Sequence, residues 1–166
     1  MNQRIVNGTL ALCFSAAVCS SAWAADGTIK IGISASFSGS FASVGESMKT
    51  AVEMAKKELE SSGGLKVGDK SYSIDPIYVD NGSDRSAASA NVLNLIGQKQ
   101  VLAIIGPMSS ARAIPMGEVA NAFKTPMISP WSTATETTKN RPYVFRMPVM
   151  YGIQATASTK FIAKEW

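Results

Sequence analysis

Two pairs of hydroxyl side chains, Ser109–Ser110 and Ser132–Thr133, are the groups in this sequence best suited to bind a ligand. The first pair follows the apolar run VLAII and precedes a predicted helix, and the second lies in a loop that carries little charge. Hydroxyl groups and the unpaired N–H groups of a helix N-terminus hold small polar ligands, and the helix dipole favours an anion. The two pairs therefore predict a site for a small carboxylate.

Both pairs also have a structural interpretation. The first pair could cap the helix that follows it, and the second could cap the short turn ahead of Glu136. Trp131 could be a core aromatic, although a tryptophan between Pro130 and Ser132 in a polar loop is more often partly exposed at a cleft. The residues alone leave both interpretations open.

The composition argues against several other kinds of site. The sequence contains no histidine, and its two cysteines, Cys13 and Cys19, both lie in the first 24 residues. Thiol nucleophiles, Ser–His pairs and Cys/His metal sites are therefore not expected in the mature chain. Because no Ser–Lys or paired-carboxylate spacing stands out, an exported hydrolase is a minor alternative, and we expect a protein that is not an enzyme and needs no cofactor.

One acidic stretch, DNGSD at 80–84, resembles the start of a calcium-binding loop. Arg85 stands where that loop needs glycine, and Asn91 stands where it needs the closing glutamate. We therefore predict that Asp84 caps a helix and that the chain binds no metal.

The first 24 residues have the three parts of a secretory signal peptide. Arg4 supplies the positive charge, residues 10–19 supply a short apolar stretch, and residues 22–24 supply the cleavage site. Cys19 follows a valine rather than a small residue, which argues against lipidation. Removing the signal leaves 15 basic and 12 acidic residues, a net charge of +3 without a basic block. We therefore expect an exported protein with no nucleic-acid partner.

The rest of the chain alternates short apolar runs with amphipathic stretches. This pattern predicts an α/β fold, a three-layer parallel sheet with helices on both faces. The predicted strands are 29–35, 72–80, 101–105, 126–129 and 143–147, and the predicted helices are 46–60, one capped by Asp84, one within 111–123 and one at 153–166. Parallel sheets bind ligands outside the carboxyl ends of their strands, so both hydroxyl pairs and the loop at 36–46 should share one edge.

Two prolines should disturb these elements. Pro76 cannot donate a backbone hydrogen bond, so the second strand should lie at a sheet edge or contain a bulge. Pro115 would leave the carbonyl of Ala111 without its helical donor, so the third helix should begin nearer Arg112 or have distorted first turns.

Three segments resemble the periplasmic solute-binding proteins of branched-chain amino-acid type that serve ABC importers. They are IKIGISASFSGSFASVGESMKTAVEMA, VLAIIGPMSSARAIPMGEVANAFKTPMISPWSTATE and YVFRM, and in order they cover nearly the whole mature chain. The resemblance implies a periplasmic protein of the type I binding-protein fold, in which two lobes clamp one small ligand. It also implies an ABC transporter permease as partner, which would be the protein's only link to the membrane.

The resemblance assigns roles to individual residues. Ser110 and Thr133 match the residues that hold the ligand's α-carboxylate through hydroxyl and backbone N–H groups, and Ser109 adjoins the first of them. The backbone carbonyl of Trp131 matches the acceptor of the ligand's ammonium group, and Ser132 lines the same loop.

Two departures from the family pattern concern the pocket walls. Val44 stands where the family has a pocket tyrosine, and Trp131 stands where it has a small residue. We therefore expect a rebuilt pocket for an amino acid or a related small carboxylate or amide, not the specificity of the leucine-type proteins. The disulfide that often ties the loops after the second and third strands is also absent, since Gly82, Ser83 and Ser109 occupy that region.

The resemblance also implies domain boundaries. Residues 25–145 are expected to form the N-terminal ligand-binding lobe, residues 146–151 the first hinge crossing, and residues 152–166 the start of a truncated second lobe. Because the remaining ligand contacts would lie in that second lobe, we expect one lobe alone to bind only at about millimolar affinity. The alternative is the ligand-sensing ectodomain of a receptor with the same fold.

Overall fold

The structure is a computed structural model that describes residues 25–166, and the predicted signal peptide and both cysteines lie outside these residues. In chain order the elements are β1 (Gly27–Ala35), α1 (Ala42–Ser61), β2 (Leu65–Val67), β3 (Lys70–Asp80), α2 (Arg85–Gly97), β4 (Ala103–Ile105), α3 (Ser110–Ala122), β5 (Met127–Ser129), β6 (Val144–Arg146) and α4 (Tyr151–Glu165). Short 3-10 turns cover Gly39–Phe41 and Thr135–Thr137. None of the helices in the described range is long and apolar enough to cross a membrane.

The strands form one sheet in the order β2-β3-β1-β4-β5-β6. Five strands run parallel, as predicted. The pattern of the sequence does not predict β2, which pairs antiparallel with the start of β3 as a short hairpin, so the sheet is mixed rather than all parallel. All three residues of Leu65–Val67 are exposed, so the segment lacks the alternation of buried and exposed residues that marks a strand.

Pro76 lies in β3 without distorting it. β1 and β3 pair continuously over the whole of β1, with Pro76 opposite Ile31 and no bulge. β2 reaches only residues 70–72, so beyond that point β3 is an edge strand. The edge alternative for Pro76 is therefore confirmed and the bulge is wrong, because a proline at an edge leaves no neighbouring strand without a donor.

Two apolar clusters lie on opposite faces of the sheet, because successive residues of a strand point to opposite sides. On one face α1 packs on β1 through Met48 and Ile33. On the other face α2 and α3 pack on the sheet around a larger cluster: Ala88, Val92, Leu95, Val101, Ile104, Met116, Ala120, Met127 and Val144. The predicted arrangement, a sheet with helices on both faces, is confirmed.

The face that carries α1 is the less completely covered of the two. Ile128 of β5 and Phe145 of β6 alternate with buried residues of the larger cluster, so they point to the side of α1, where they are 40% and 52% exposed. α4 confirms the helix predicted at 153–166, and every residue from Tyr151 to Trp166 is exposed. The core of the described lobe is therefore built by α1, α2, α3 and the sheet.

Candidate functional site

Four loops meet at the carboxyl edge of the sheet, because β1, β3, β4 and β5 run parallel. Hydrogen bonds join them in two pairs: the loops after β4 and β5 meet at Ser110, and the loops after β1 and β3 meet at Asp80. The first group of side chains, the Ser110 cluster, consists of Ser110, Ser129, Ser132, Thr133 and Thr137. The second, the Asp80 cluster, consists of Ser36, Ser38, Asp80, Asn81 and Ser83.

Ser110 is the first residue of α3 and bonds across to the loop after β5. Its Oγ accepts hydrogen bonds from Ser132 Oγ at 3.0 Å, Thr133 N at 3.2 Å and Ala134 N at 3.3 Å. The structure thus brings together the two loops that sequence analysis nominated, with Ser110 at the point of contact.

Buried hydroxyl groups beneath Ser110 hold the two loops together. Ser129 Oγ donates to Pro107 O at 3.0 Å and accepts from Ser132 N at 3.3 Å. Ser132 is fully buried, and its hydroxyl also bonds to that of Thr137. The cap of the 3-10 turn is Ala134, which uses no side-chain bond, so the interpretation of Ser132 and Thr133 as turn caps is wrong.

The two serines at the start of α3 have different roles. Ser109 is the N-cap of the helix, and its Oγ accepts from Arg112 N at 3.4 Å. Ser110 makes no such bond within its own helix and faces the neighbouring loop instead. The capping interpretation is therefore confirmed for Ser109 and wrong for Ser110.

The beginning of α3 tolerates Pro115 because its missing hydrogen bond is replaced. The helix begins at Ser110, not nearer Arg112, and its first turn is regular, with Ala113 N donating to Ser109 O at 2.9 Å. The carbonyl of Ala111, which Pro115 cannot serve, accepts instead from Arg85 Nε at 2.8 Å. Both predictions for this helix start are wrong, because a side chain from α2 satisfies the free carbonyl.

The remaining residues predicted for the site differ in how much of their surface is exposed to solvent. Trp131 is 50% exposed, so it is not a core aromatic. Thr133 and Val44 are partly buried, and Val44 lies in the first turn of α1, next to the loop after β1. The following residue, Gly45, passes so close to Ser36 O that an added Cβ would lie 1.9 Å from it. Val44 therefore lies beside the loop that carries Ser36 of the Asp80 cluster.

Asp80 ends β3 and collects four donors. Its Oδ1 accepts from Phe37 N at 2.8 Å, Ser38 N at 3.2 Å and Gly82 N at 2.8 Å, while Oδ2 accepts from Ser38 Oγ at 2.5 Å. The hydrogen bond from the Ser38 hydroxyl, together with the backbone N–H groups, lowers the pKa of Asp80 despite the opposing effect of burial. The loop after β1 is thus held to the end of β3 by a charged carboxylate.

Asn81 extends the Asp80 cluster toward α2. Its buried Oδ1 accepts from Ser36 Oγ at 2.7 Å and from Ser83 N at 3.2 Å. Asp84 then caps α2 by accepting from Ala87 N at 2.7 Å, as predicted. DNGSD is therefore a turn that joins a strand to a helix through its own side chains.

Arg112, in the first turn of α3, is the buried cation of this edge, with 5% of its surface exposed. Its Nη1 donates to Ser83 O at 3.1 Å, and its Cζ lies 5.1 Å from the centroid of the Phe41 ring. Burial lowers the pKa of the Arg112 guanidinium. Sequence analysis missed both Arg112 and Asp80 as site residues; an aspartate at a strand end before Asn-Gly was a usable signal, whereas a single arginine among helical residues carries none.

The end of β6 and the segment after it are bonded to β5 and the loop that follows it. Arg146 donates through Nη1 to Ala134 O, and Tyr151 N donates to Thr133 O at 3.0 Å. Met147 N donates to Ser129 O at 3.2 Å. A shift of the chain after β6 would therefore act directly on the residues that contact Ser110.

Comparison with known proteins supports this description of the chain. The model of the periplasmic binding protein family matches residues 28–166. The Leu/Ile/Val-binding protein homolog 8 of Brucella abortus (strain 2308) is 29% identical over 149 residues, 88% of this chain and 34% of the relative. This chain therefore spans about a third of the length of that relative.

Two solved structures share the fold. The branched-chain amino acid transporter substrate binding protein LivJ of Streptococcus pneumoniae, in complex with isoleucine, is 30% identical with a TM-score of 0.69 over 74% of this chain and 34% of that chain. The leucine binding protein LivK of Thermotoga maritima is 25% identical with a TM-score of 0.73 over 82% of this chain and 37% of that chain. Together with the family match, they show that the chain belongs to the periplasmic binding protein family and is similar to the N-terminal portion of its branched-chain amino-acid-binding members.

Proposed function

We propose that this chain forms the N-terminal lobe of an extracytoplasmic solute-binding protein that captures an amino acid, or a related small carboxylate or amide, for an ABC importer. The proposal includes a periplasmic location and a permease as partner, in keeping with the family. The relatives named for Leu/Ile/Val binding support an amino acid as the class of solute.

The hydrogen bonding of Ser110 is the observation that carries the proposal. Ser110 Oγ accepts from Ser132, Thr133 and Ala134, and within residues 25–166 it donates to no acceptor. Its own O–H is therefore available at a helix N-terminus. A carboxylate complements this arrangement, because it only accepts hydrogen bonds and its charge is favoured at the start of a helix.

The same arrangement favours binding over catalysis. A serine nucleophile needs a base within hydrogen-bond reach, and the hydrogen-bond partners of Ser110 are one hydroxyl and two amide groups. Ser110 is therefore proposed as a ligand contact, together with Thr133 and Ser132 of the facing loop, the backbone carbonyl of Trp131, and the neighbouring Ser109 and Val44.

The domain boundaries form part of this proposal. Residues 25–145 would be one lobe, residues 146–151 the first hinge crossing, and residues 152–166 the beginning of a second lobe. The exposure of every residue of α4 supports this division, as does the share of the relatives that the chain spans. The bonds from Arg146 and Tyr151 to the loop of Thr133 would then couple hinge movement to the ligand site.

The test is a double substitution, Ser110→Ala with Thr133→Ala, in the full-length protein freed of any ligand that it carries through purification. A panel of L-leucine, L-isoleucine, L-glutamine and L-glutamate is titrated by isothermal titration calorimetry. We expect the affinity for whichever of these the wild type binds most tightly to fall by about 100-fold or more, because bonds to a charged group are lost. The free energy of unfolding should change by no more than about 1–2 kcal/mol.

A matched control changes a serine and a threonine on the exposed face of α1, Ser47→Ala with Thr50→Ala, whose hydroxyls bond only within their own helix. This variant should bind like the wild type. Equal affinity of the Ser110/Thr133 variant and the control would reject the carboxylate site, and failure of the wild type to bind any amino acid would reject the proposed solute class.

A further inference from the structure

The N-termini of α2 and α3 are joined by two arginines that cross in opposite directions. Arg85, at the start of α2, donates to Ala111 O in the first turn of α3. Arg112, in the first turn of α3, donates to Ser83 O just before α2. Two guanidinium groups and the positive ends of two 13-residue helices therefore lie side by side at the carboxyl edge of the sheet.

The nearby acids of the described lobe form no ion pair with either arginine. Asp84 is occupied as the cap of α2, and Asp80 is occupied by donors from the loops around it. The ion pairs of the described residues lie elsewhere and include neither Arg85 nor Arg112. Within residues 25–166 neither guanidinium is therefore in an ion pair, although the ionised Asp80 and the cap Asp84 lie at the same edge of the sheet.

Arg112 carries the specific evidence for a ligand. It is 5% exposed, and its Nε and Nη2 atoms are buried without a hydrogen-bond partner. These two nitrogens share one edge of the guanidinium plane, and their parallel N–H groups match the two oxygens of a carboxylate. Buried cations are usually paired, so an unused pair of donors on a guanidinium indicates that an anion belongs there.

Phe41 is the aromatic neighbour of the Arg112 guanidinium. The guanidinium lies against the Phe41 ring, which is 42% exposed and belongs to the short turn before α1. That turn has no side-chain cap, and its bond to the Asp80 cluster runs from Phe41 N to Ser83 Oγ at 3.2 Å. Phe41 thus packs against the guanidinium from an exposed turn.

We propose that Arg112 is a second anion-binding group of the ligand site and takes the distal acidic group of a ligand that carries two carboxylates, such as a dicarboxylic amino acid. This inference rests on the proposed function, in which Ser110 holds the first carboxylate. Ser110 and Arg112 leave α3 about 200° apart around the helix axis. The two acidic groups must therefore be separated by a spacer, which a dicarboxylic amino acid supplies and leucine does not.

The test compares acids with their neutral counterparts on the full-length protein freed of carried ligand. Isothermal titration with L-glutamate, L-2-aminoadipate, L-glutamine and L-leucine gives the preference of the wild type without any substitution. We expect the wild type to bind at least one of the two acids about tenfold or more tightly than glutamine, because an ionised partner strengthens the bond to the guanidinium.

Arg112→Gln should remove this preference while it changes the affinity for glutamine less than about threefold, since the amide never used the charge. Arg112→Lys keeps the charge but not the paired donors, so it should lose most of the preference as well. If Arg112→Gln does not fold, as judged by circular dichroism, the inference is tested by the preference of the wild type and by the affinities of the Arg112→Lys variant.

Two results would overturn the inference: a wild type that binds glutamine or leucine as tightly as the acids, or an arginine variant that weakens acid and amide equally. The first of these leaves the proposed function intact, because a monocarboxylate amino acid is still bound. A wild type that binds none of the amino acids would instead reject the proposed function itself.

Discussion

The Ser110 cluster and the Asp80 cluster lie at the same edge of the sheet. Both hold loops together, but through different kinds of hydrogen bond. Each joins two loops that follow neighbouring or nearby strands. The Asp80 cluster does so with an ionised carboxylate whose oxygens take four donors. The Ser110 cluster uses neutral hydroxyls, and Ser110 keeps a hydrogen-bond donor unused among the described residues.

This difference separates a frame from the surface that we propose binds the ligand. A carboxylate surrounded by internal donors has little left to offer a ligand, and it fixes the loops after β1 and β3. Hydroxyl groups with remaining donors can accept a new partner without leaving a charge unpaired. The first turn of α3 connects the two clusters, since Ser110 faces one and Arg112 reaches the other.

The largest difference between the clusters should appear in stability. Asp80→Ala removes the acceptor for four hydrogen bonds, three of them from backbone N–H groups, and should lower the free energy of unfolding by about 2–3 kcal/mol. Urea unfolding followed by circular dichroism measures this change. The control is Asp69→Ala in the exposed turn between β2 and β3, which should change stability by less than about 0.5 kcal/mol. Equal effects of the two substitutions would mean that Asp80 does not hold the frame.

The second difference should appear in the dependence on pH. Because the pKa of folded Asp80 lies below that of the unfolded chain, its contribution is complete above about pH 4 and is lost as the pH falls through the lowered value. The difference in unfolding free energy between wild type and Asp80→Asn should therefore shrink as the solution is acidified from pH 6 to about pH 2. Urea titrations across this range measure it.

Ser110→Ala provides the contrast in the same titrations, since no group of the Ser110 cluster is acidic or basic. Its effect on stability should stay constant over that range of pH. A constant effect of Asp80→Asn, or a pH-dependent effect of Ser110→Ala, would remove the electrostatic distinction between the clusters.

The smallest effect is expected for the stability of Ser110→Ala itself. The substitution removes an acceptor for the buried Ser132 hydroxyl, which keeps its bond to Thr137, and for two N–H groups of partly exposed residues. It should cost about 1 kcal/mol. Ser47→Ala on α1 is the matched control and should be neutral within about 0.5 kcal/mol. A loss several times larger for Ser110→Ala would make this serine part of the frame, in contradiction to the proposed division.

Sequence analysis predicted the site best where the signal is local. The loop of Ser110 follows a buried strand and precedes a helix, and these boundaries can be read from the periodicity of a few residues. Asp84 was likewise predictable as a cap, because it accepts from the N–H of Ala87 only three residues away. The three-residue strand β2 was missed, since Leu65–Val67 bury nothing and depend on the partner strand for their conformation.

The sequence by itself determined the order of the helices and the five parallel strands along the chain, and the edge on which the hydroxyl-rich loops lie, because local periodicity and parallel connectivity dictate them. The tertiary structure alone decided which side chains meet there. Asp80 bonds to Ser38 across 42 positions of the chain, and Arg112 bonds to Ser83 across 29. Burial and hydrogen bonding between such distant residues depend on how the loops pack, so no local pattern could show that Arg112 keeps two donors free.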